Sequence, residues 1–306
     1  MTLKGFSQKG WGFSQSGWRV ASGAALLVAL ASQARAGDGQ PQPWQITFQD
    51  SVTPIADQIH SLHNLLLVLI TVIVLFVAGL LAWVVVKHNA KVNPTPSRTS
   101  HNTVLEVAWT IVPVLILLVI AIPSFRLLYA QYDFPKADLT IKATGHQWYW
   151  SYNYPDNGGF NFDSLMVEEA DLKPGQPRLL AVDNEIVVPV NKVTHILVTA
   201  DDVIHNWTIP AFGVKMDAVP GRVTRVWFQP RETGIYYGQC SELCGERHAF
   251  MPIQVRVVSD QEFAAWVQGA KKKFADNGSS APAIEAAEAD HSKAEAATRL
   301  AATDRQ

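Results

Sequence analysis

The sequence is poor in cysteine: of its 306 residues, only Cys240 and Cys244 carry a thiol. This number is too small for a disulfide-rich scaffold, and the absence of a C-x-x-C-H motif excludes a covalently attached c-type heme. Charge is also scarce, since Asp, Glu, Lys and Arg make up 17% of the chain and the net charge is −2. Because nucleic-acid binding depends on an excess of positive charge, we expect no nucleic-acid partner.

Charge is missing entirely from one long stretch. The 22 residues from Leu65 to Val86 include no charged side chain, and as a helix they would extend about 33 Å, enough to cross the core of a bilayer. A second apolar run extends from Val107 past Pro123 to Tyr129, and membrane helices tolerate proline where neighbouring groups satisfy the backbone. The sequence therefore predicts a hairpin of two transmembrane helices, at about 62–87 and 106–129, within the segment 37–130.

The first 36 residues have the pattern of a secretory signal peptide. A basic flank and a short apolar region end in the small-residue motif ARA, which predicts cleavage before Gly37, with a third membrane span as the alternative. The loop between the two predicted spans carries Lys87, Lys91 and Arg98, and the positive-inside rule places such a loop in the cytoplasm. Both ends of the mature chain would then lie on the opposite side of the membrane.

Beyond Tyr129 the pattern changes to short segments rich in Val, Ile, Thr, Trp and Tyr, separated by turn residues such as the Pro-Gly pair at 220–221. Short strands at this spacing predict an antiparallel sandwich or barrel, which we assign to 131–270. Residues 271–306 are rich in Ala, Glu and Lys and have almost no large apolar side chains. We therefore expect them to form a flexible or helical tail.

Both cysteines lie in the motif GQCSELCGERHAFMPI at 238–253, which also contains His248 and Met251, and His205 on a predicted strand is a candidate for a further ligand. In an exported domain the two cysteines can form a disulfide. With the two histidines they can bind zinc, and one cysteine with both histidines and Met251 suits a mononuclear blue copper. A dinuclear copper site, with two bridging thiolates, one histidine for each copper and Met251 as a weak ligand, uses every donor.

Three further motifs accompany this one in the chain: EVAWTIVP at 106–113, GHQWYWSYNYP at 145–155 and DVIHNW at 202–207. Together, behind two membrane spans, the four motifs resemble subunit II of cytochrome c oxidase, in the form found in bacterial heme-copper oxidases of the mitochondrial type. The resemblance covers about 47–270. It implies a two-helix transmembrane hairpin followed by an all-β, cupredoxin-like Greek-key sandwich that carries a dinuclear copper A centre.

The same resemblance implies a function. Such a chain accepts electrons from cytochrome c at copper A and passes them to heme a of subunit I, in an aa3-type enzyme that couples oxygen reduction to proton pumping. It would lie in the bacterial inner membrane, surrounded by lipid and by subunits I and III, with the copper domain in the periplasm. The alternatives are a copper A subunit of a nitric oxide reductase and a membrane-anchored copper-binding or assembly protein.

The resemblance also assigns roles to particular residues. Two copper ions would be held by six of them: His205, Cys240, Cys244, His248, Met251 and Glu242, the last through its main-chain oxygen. The carboxylate of Glu242 would bind a Mg or Mn ion shared with subunit I, which alone would hold the hemes and copper B. Trp148 would be exposed and receive the electron, and Glu106 would mark the entrance of a proton pathway. The neighbouring aromatic residues Trp150, Tyr152 and Tyr154 are predicted to be core.

The distribution of charge predicts where cytochrome c would dock. Between Gln131 and Ala270 there are 17 acidic and 11 basic residues, a larger excess of negative charge than the −2 of the whole chain. Because cytochrome c presents a lysine-rich face, an acidic surface would speed its association. The predicted docking carboxylates are Asp156, Asp163, Glu168, Glu169, Asp171, Asp201 and Asp202.

Overall fold

The first helix, α1, spans Pro54–Lys87 in a computed structural model that describes residues 39–275 of the chain. It begins before the predicted start near 62. The reason is a capping signal ahead of the apolar run: the Thr53 side chain accepts a hydrogen bond from Ala56 N at 3.1 Å, and Pro54 occupies the first helical turn. The predicted signal peptide at 1–36 and the tail beyond residue 275 lie outside the described residues.

The second helix, α2, spans Thr103–Tyr132, again longer than predicted because Asn102 caps its first turn by accepting from Leu105 N. Pro113 and Pro123 both lie inside it. Apolar side chains along α1 and α2 are exposed, including Leu75 and Leu117. Since both helices are long and apolar enough to cross a bilayer, their exposed side chains are suited to contact with lipid.

After α2, the described chain forms a β-sandwich of ten strands with one α-helix and four short 3-10 helices. One sheet has the order β3-β2-β1-β5-β8, a second has the order β4-β10-β9, and a separate hairpin pairs β6 with β7. The strands are β1 (Leu139–His146), β2 (Tyr149–Tyr154), β3 (Phe160–Ser164), β4 (Ile186–Pro189), β5 (Thr194–Ala200), β6 (His205–Ile209), β7 (Val214–Ala218), β8 (Thr224–Phe228), β9 (Gly234–Gln239) and β10 (Pro252–Val258).

The strand pairing differs from the antiparallel arrangement that strand spacing predicted. β1 pairs in parallel with β5, and β10 in parallel with β4. These partners are distant in the sequence, and a connection between them crosses from one sheet to the other, so local spacing carries no sign of their direction. The motif GHQWYWSYNYP does not lie on one strand, because the chain turns at Gln147–Trp148 and returns as β2.

The core lies between the two sheets and is rich in aromatic side chains. Trp150, Tyr152 and Tyr154 of β2 are almost fully buried, which confirms the core prediction for these three residues. They alternate with the half-buried residues of the same strand, as expected when one face of a sheet packs on a core. The Tyr154 hydroxyl donates to Val187 O at 2.9 Å, so its one polar atom is satisfied inside the sandwich.

A third helix, α3, spans Asp260–Lys273 and closes one end of the core. A capping box between Ser259 and Glu262 begins it, and Trp266 packs its ring 5.1 Å from that of Tyr154. The helix was not predicted, and it extends into the segment 271–306 assigned to the tail. Its few buried side chains, among them Val267, explain why composition alone gave no signal.

The start of α1 is attached to the sandwich. Thr53 is fully buried, and its hydroxyl donates to Phe212 O at 2.7 Å while accepting from Ala56 N. Gly213 has a φ of +67°, and a Cβ there would lie 2.9 Å from Ala56 Cα, so a side chain at this position would push the helix away. One threonine thus caps the membrane helix and ties it to the sandwich.

We expect Thr53→Ala to destabilise this junction by about 1–2 kcal/mol, because it removes the cap and leaves the buried Phe212 carbonyl without its donor. Urea titration of the full chain in detergent, followed by tryptophan fluorescence, would show a lower midpoint. Thr53→Ser keeps the hydroxyl and is the matched control. Equal losses in the two variants would contradict the role of the hydroxyl.

Candidate metal centre

The loop that carries both cysteines joins β9 to β10, and its two ends are held together. Gln239 pairs with Pro252 across the two strands, and Cys240 N donates to Met251 O at 3.2 Å. Ser241 N donates to Asn206 O at 3.1 Å, which attaches the loop to the start of β6. The loop 240–251 is therefore closed at its base and fixed beside His205.

The close approach of β9 to β6 depends on a glycine. A Cβ at Gly238 would lie 1.7 Å from the backbone oxygen of Thr208, a distance that no side chain could occupy. Since β6 begins at His205 and β9 ends just before Cys240, this contact sets the distance between the histidine and the first cysteine. Gly238 therefore allows the two halves of the site to meet.

Donor atoms of all six predicted ligands converge at this point. The two sulfur atoms of Cys240 and Cys244 lie 3.8 Å apart, and each has its own imidazole: His205 Nδ1 is 3.9 Å from Cys240 Sγ, and His248 Nδ1 is 3.5 Å from Cys244 Sγ. Met251 Sδ lies 3.6 Å from Cys244 Sγ, and Glu242 O lies 3.3 Å from Cys240 Sγ. The arrangement has two similar halves.

Burial and chemistry make this cluster suitable for a soft metal. Cys240, Cys244, His205 and Met251 are buried, and the ligand atoms of the first three lie within 4.8 Å of one another. Both cysteines are free thiols, with their sulfurs well beyond the ~2.05 Å of a disulfide bond. Thiolates, imidazoles and a thioether are donors that copper accepts, whereas a zinc site would leave Met251 without a role. The residues present could hold copper.

The two thiols differ in acidity. Burial raises the pKa of the Cys240 thiol, but hydrogen bonds from His205 and from the surrounding backbone outweigh it and bring the pKa to about 7. Burial and the neighbouring Cys240 thiolate raise the pKa of Cys244 to about 12. The first negative charge therefore forms at Cys240, and a second is costly until a cation lies beside both sulfurs.

His205 is held from two sides. Its Nε2 lies 2.8 Å from Asp202 Oδ1, which leaves Nδ1 directed at Cys240. On the other side, a Cβ at Gly145 would lie 2.7 Å from His205 Cδ2, so only glycine lets the ring take this position. Neither contact was predicted from the sequence, although Gly145 and Asp202 both lie within the quoted motifs.

Trp148 lies directly against the loop, and it is half-buried rather than exposed as expected. Its Nε1 donates to Cys244 O at 3.2 Å, and the Gln147 side chain donates to the same oxygen at 2.9 Å. Gly245 has a φ of +120°, and a Cβ there would lie 2.9 Å from the Trp148 ring. The indole is covered on one side because it packs on this glycine and hydrogen-bonds to the loop.

The side chains of two other predicted residues lie away from the buried donors. Glu242 turns its main-chain oxygen towards Cys240 while the residue itself is exposed. Glu106 lies in the first turn of α2, and almost the whole length of that helix separates it from the sandwich. The structure therefore brings Glu242 to the site through its backbone and leaves Glu106 at the opposite end of the hairpin.

The predicted docking carboxylates are exposed, but most have partners. Ion pairs join Glu168 to Arg247 at 3.0 Å and Glu169 to Arg178 at 2.9 Å. Four of the other five accept hydrogen bonds or face a histidine: Asp156 accepts from Thr140 N, Asp163 from Ser151, Asp201 lies near His146, and Asp202 has the contacts described above. Two arginines therefore offset part of the negative charge that the residue count suggested.

Comparisons with known proteins all match the same protein family. Residues 139–258 match the family described as cytochrome c oxidase subunit II, periplasmic domain, and residues 41–127 match the transmembrane domain of the same subunit. The probable cytochrome c oxidase subunit 2 of Rickettsia felis is 50% identical over 254 residues, covering 83% of this chain and 80% of that protein. Cytochrome c oxidase subunit 2 of Cereibacter sphaeroides is 47% identical over 273 residues, covering 82% and 90%.

A solved structure also resembles part of the chain. The crystal structure of the periplasmic domain of subunit II of cytochrome oxidase of Bradyrhizobium japonicum is 67% identical. The match covers 46% of this chain and 99% of that domain, with a TM-score of 0.44.

We expect Gly145→Ala to weaken copper binding, because the added methyl group would displace the His205 ring. A loss of at least about tenfold in affinity is the scale seen when groups that orient a metal ligand are altered. Competition with a Cu(I) chelator on the full chain in detergent measures it. Gly269→Ala adds the same methyl group in open space on α3 and is the matched control. Unchanged affinity in Gly145→Ala would contradict the packing argument.

Copper binding should also strengthen as pH rises, because metal ligation needs thiolates and a neutral imidazole. With the pKa of Cys240 at about 7 and that of Cys244 at about 12, binding displaces the Cys244 proton at neutral pH and the Cys240 proton as well below about 7. The apparent affinity should rise about tenfold per pH unit for each displaced proton, and more steeply below pH 7 than above it.

Chelator competition at several pH values, corrected for the protonation of the chelator, measures this slope. An affinity that does not change with pH would mean that the site does not bind metal through thiolates.

Proposed function

Because the chain belongs to the cytochrome c oxidase subunit II family and is a subunit of an oxidoreductase complex, we propose that it is the electron-accepting subunit of an aa3-type oxidase. In this proposal, electrons from cytochrome c arrive at a dinuclear copper centre in the sandwich and continue to heme a of subunit I. Oxygen reduction and the coupled pumping of protons then take place in subunit I, which holds the hemes and copper B.

The observation that carries the proposal is the paired arrangement of donors around two cysteine sulfurs 3.8 Å apart. His205 and Cys240 belong to one half, and His248, Met251 and Cys244 to the other. These residues would hold the copper centre, which when bound would supply a one-electron redox step with little rearrangement between its oxidation states. The chain supplies the rigidity, since the loop is closed by backbone hydrogen bonds and buried on the side of Met251.

Trp148 is the proposed point at which the electron enters. It is half-buried, so part of the indole remains accessible to a docked protein, and its Nε1 donates directly to the carbonyl of Cys244. A single hydrogen bond therefore links the surface ring to a residue that would hold copper. The exposed docking carboxylates would attract the lysine-rich face of cytochrome c, although Arg247 and Arg178 offset the charges of Glu168 and Glu169.

The opposite side of the loop would face subunit I. Glu242 has an exposed carboxylate and a carbonyl oxygen 3.3 Å from Cys240 Sγ. A Mg or Mn ion bound by this carboxylate and by subunit I would suit the preference of hard cations for oxygen ligands. One residue would then connect the copper ligands with the subunit boundary, while α1 and α2 contact lipid and subunits I and III.

The charge of the loop between α1 and α2 supports a proposed orientation in the membrane. Lys91 and Arg98 lie in this loop and Lys87 ends α1, so we place the loop in the cytoplasm and the sandwich in the periplasm of a bacterial inner membrane. Glu106, in the first turn of α2, would then lie near the cytoplasmic face. That is the side from which protons would enter a pathway leading into subunit I.

We expect Trp148→Phe to slow electron transfer from cytochrome c more than about tenfold, equivalent to ~1.4 kcal/mol of barrier, because the hydrogen bond to Cys244 O is lost. Stopped-flow reduction of the purified oxidase by reduced cytochrome c measures this rate, and copper content is measured on the same sample. A wild-type complex with two coppers in this subunit, sharing one unpaired electron, is the expected starting point.

The matched control is Trp109→Phe, which makes the same change at an exposed position of α2, away from the sandwich. Transfer at the wild-type rate in Trp148→Phe would exclude this residue as the point where electrons enter. A wild-type subunit without copper would exclude the proposed function itself.

A further inference from the structure

His146, the last residue of β1, lies between two of the carboxylates assigned to docking. Its Nδ1 is 3.5 Å from Asp201 Oδ2, and its Nε2 is 2.9 Å from the hydroxyl of Ser151. That hydroxyl donates to Asp163 Oδ1 at 2.7 Å. Ser151 belongs to β2, Asp163 to β3, and Asp201 directly follows β5. The histidine and the serine therefore connect two carboxylates from separate parts of the sheet.

These contacts determine which ring nitrogen carries the proton when the imidazole is neutral. A serine hydroxyl has one proton, and Ser151 donates it to Asp163, so the Ser151 oxygen accepts from His146 Nε2. Nδ1 then has no proton, and its lone pair faces the Asp201 carboxylate. A second proton on Nδ1 would turn this contact into a charge-assisted hydrogen bond. The geometry thus favours the uptake of a proton at Nδ1.

The ring of Tyr149 lies parallel to the imidazole of His146, with 4.5 Å between the centroids and 11° between the planes. Burial raises the pKa of the Tyr149 hydroxyl, and the charges of Asp163, Asp201 and Asp202 raise it further. The stacked pair therefore lies in the field of three carboxylates. A cationic imidazole would be stabilised by this field and by the face of the tyrosine ring.

The three carboxylates have no lysine or arginine as an ion-pair partner in the part of the chain that the structure describes. Asp201 faces the imidazole, Asp163 accepts from the serine, and Asp202 pairs with His205. On β1 itself the nearest charged residue is Lys142, four positions away or about 13 Å along the strand. The imidazole is therefore the group that can change the charge of this part of the surface.

We propose that His146 adjusts the charge of the docking surface to pH, an inference that rests on the proposed function. With a neutral ring, the carboxylates of Asp163, Asp201 and Asp202 all attract the lysine-rich face of cytochrome c. With a protonated ring, one positive charge lies among them and Asp201 is engaged inside the protein. Histidine is the side chain whose charge changes near neutral pH, so association weakens as the outer compartment becomes acidic.

Two substitutions at this position separate charge from packing. His146→Gln stays neutral and keeps an amide group that can donate to Ser151, whereas His146→Lys carries a positive charge at every pH used. Both remove the ring that stacks on Tyr149. A packing role predicts the same change in both variants, whereas a charge role predicts different changes. His88→Gln, at the C-cap of α1 and the far end of the hairpin, is the matched control.

The experiment measures binding of cytochrome c to the full chain in detergent, by calorimetry at low ionic strength, at about pH 8 and about pH 5.5. Acidification should weaken binding about three- to tenfold more in the wild type and in His88→Gln than in His146→Gln. His146→Lys should bind more weakly than the wild type at pH 8, where His146→Gln should match it. In about 1 M salt, where charges are screened within ~3 Å, these differences should disappear.

A His146→Gln variant with the pH dependence of the wild type would overturn the role of His146, as would equal weakening of the Gln and Lys variants at pH 8. A wild-type chain that bound no cytochrome c at either pH would instead exclude the proposed function. The same titrations with a decalysine peptide test His146 in that case, because the peptide presents lysine charge alone. Equal pH dependence of peptide binding in the wild type and His146→Gln would again overturn the inference.

Discussion

The close approach of two buried cysteine sulfurs is the constraint on which the rest of the site depends. Burial and the Cys240 thiolate 3.8 Å away raise the pKa of Cys244 to about 12, whereas hydrogen bonds from His205 and the backbone lower the pKa of Cys240 to about 7. A second negative charge at this distance is therefore costly without a cation beside both sulfurs. Each sulfur has an imidazole near it, and backbone hydrogen bonds close the base of the loop. The fold thus brings together a buried set of soft donor atoms, and a metal cation would stabilise their negative charge.

Glycines and hydrogen bonds, more than the ligands themselves, keep this arrangement in place. Gly238 lets β9 approach β6, Gly145 makes room for the His205 ring, and Gly245 accommodates Trp148. At each of these positions the lack of a side chain lets the backbone contact either a second backbone segment or an aromatic ring. The ligands come from two regions of the chain, so these contacts set the distance between them. A substitution at one of these contacts would therefore alter metal binding even though it lies away from the sulfur atoms.

The membrane helices and the sandwich are joined by a short, specific contact. Thr53 caps α1 and donates to Phe212 O, and the Asp57 carboxylate lies 2.7 Å from Arg231 of the sandwich. In the proposed function, the sandwich would have to keep a fixed distance from its electron acceptor, because the rate of electron transfer depends steeply on separation. A junction built at the first turn of a membrane helix fits that requirement better than a flexible linker would.

On the outer surface of the sandwich, ion pairs such as that of Glu168 with Arg247 neutralise part of the acidic charge. The negative charge available to attract a partner is therefore smaller than the residue count suggests.

The sequence by itself determined the apolar helices, the core role of Trp150, Tyr152 and Tyr154, and the set of residues around the cysteines, because these depend on local runs, alternation and the chemistry of donor types. Both helices begin earlier in the chain than predicted, because the capping residues Thr53 and Asn102 lie before the apolar runs. Only the tertiary structure decided the parallel pairing of β1 with β5, the half-burial of Trp148 and the position of Asp202 between His205 and Gln147. These depend on contacts between residues far apart in the chain, and the sequence pattern around each of them would be the same whichever partner the fold supplied.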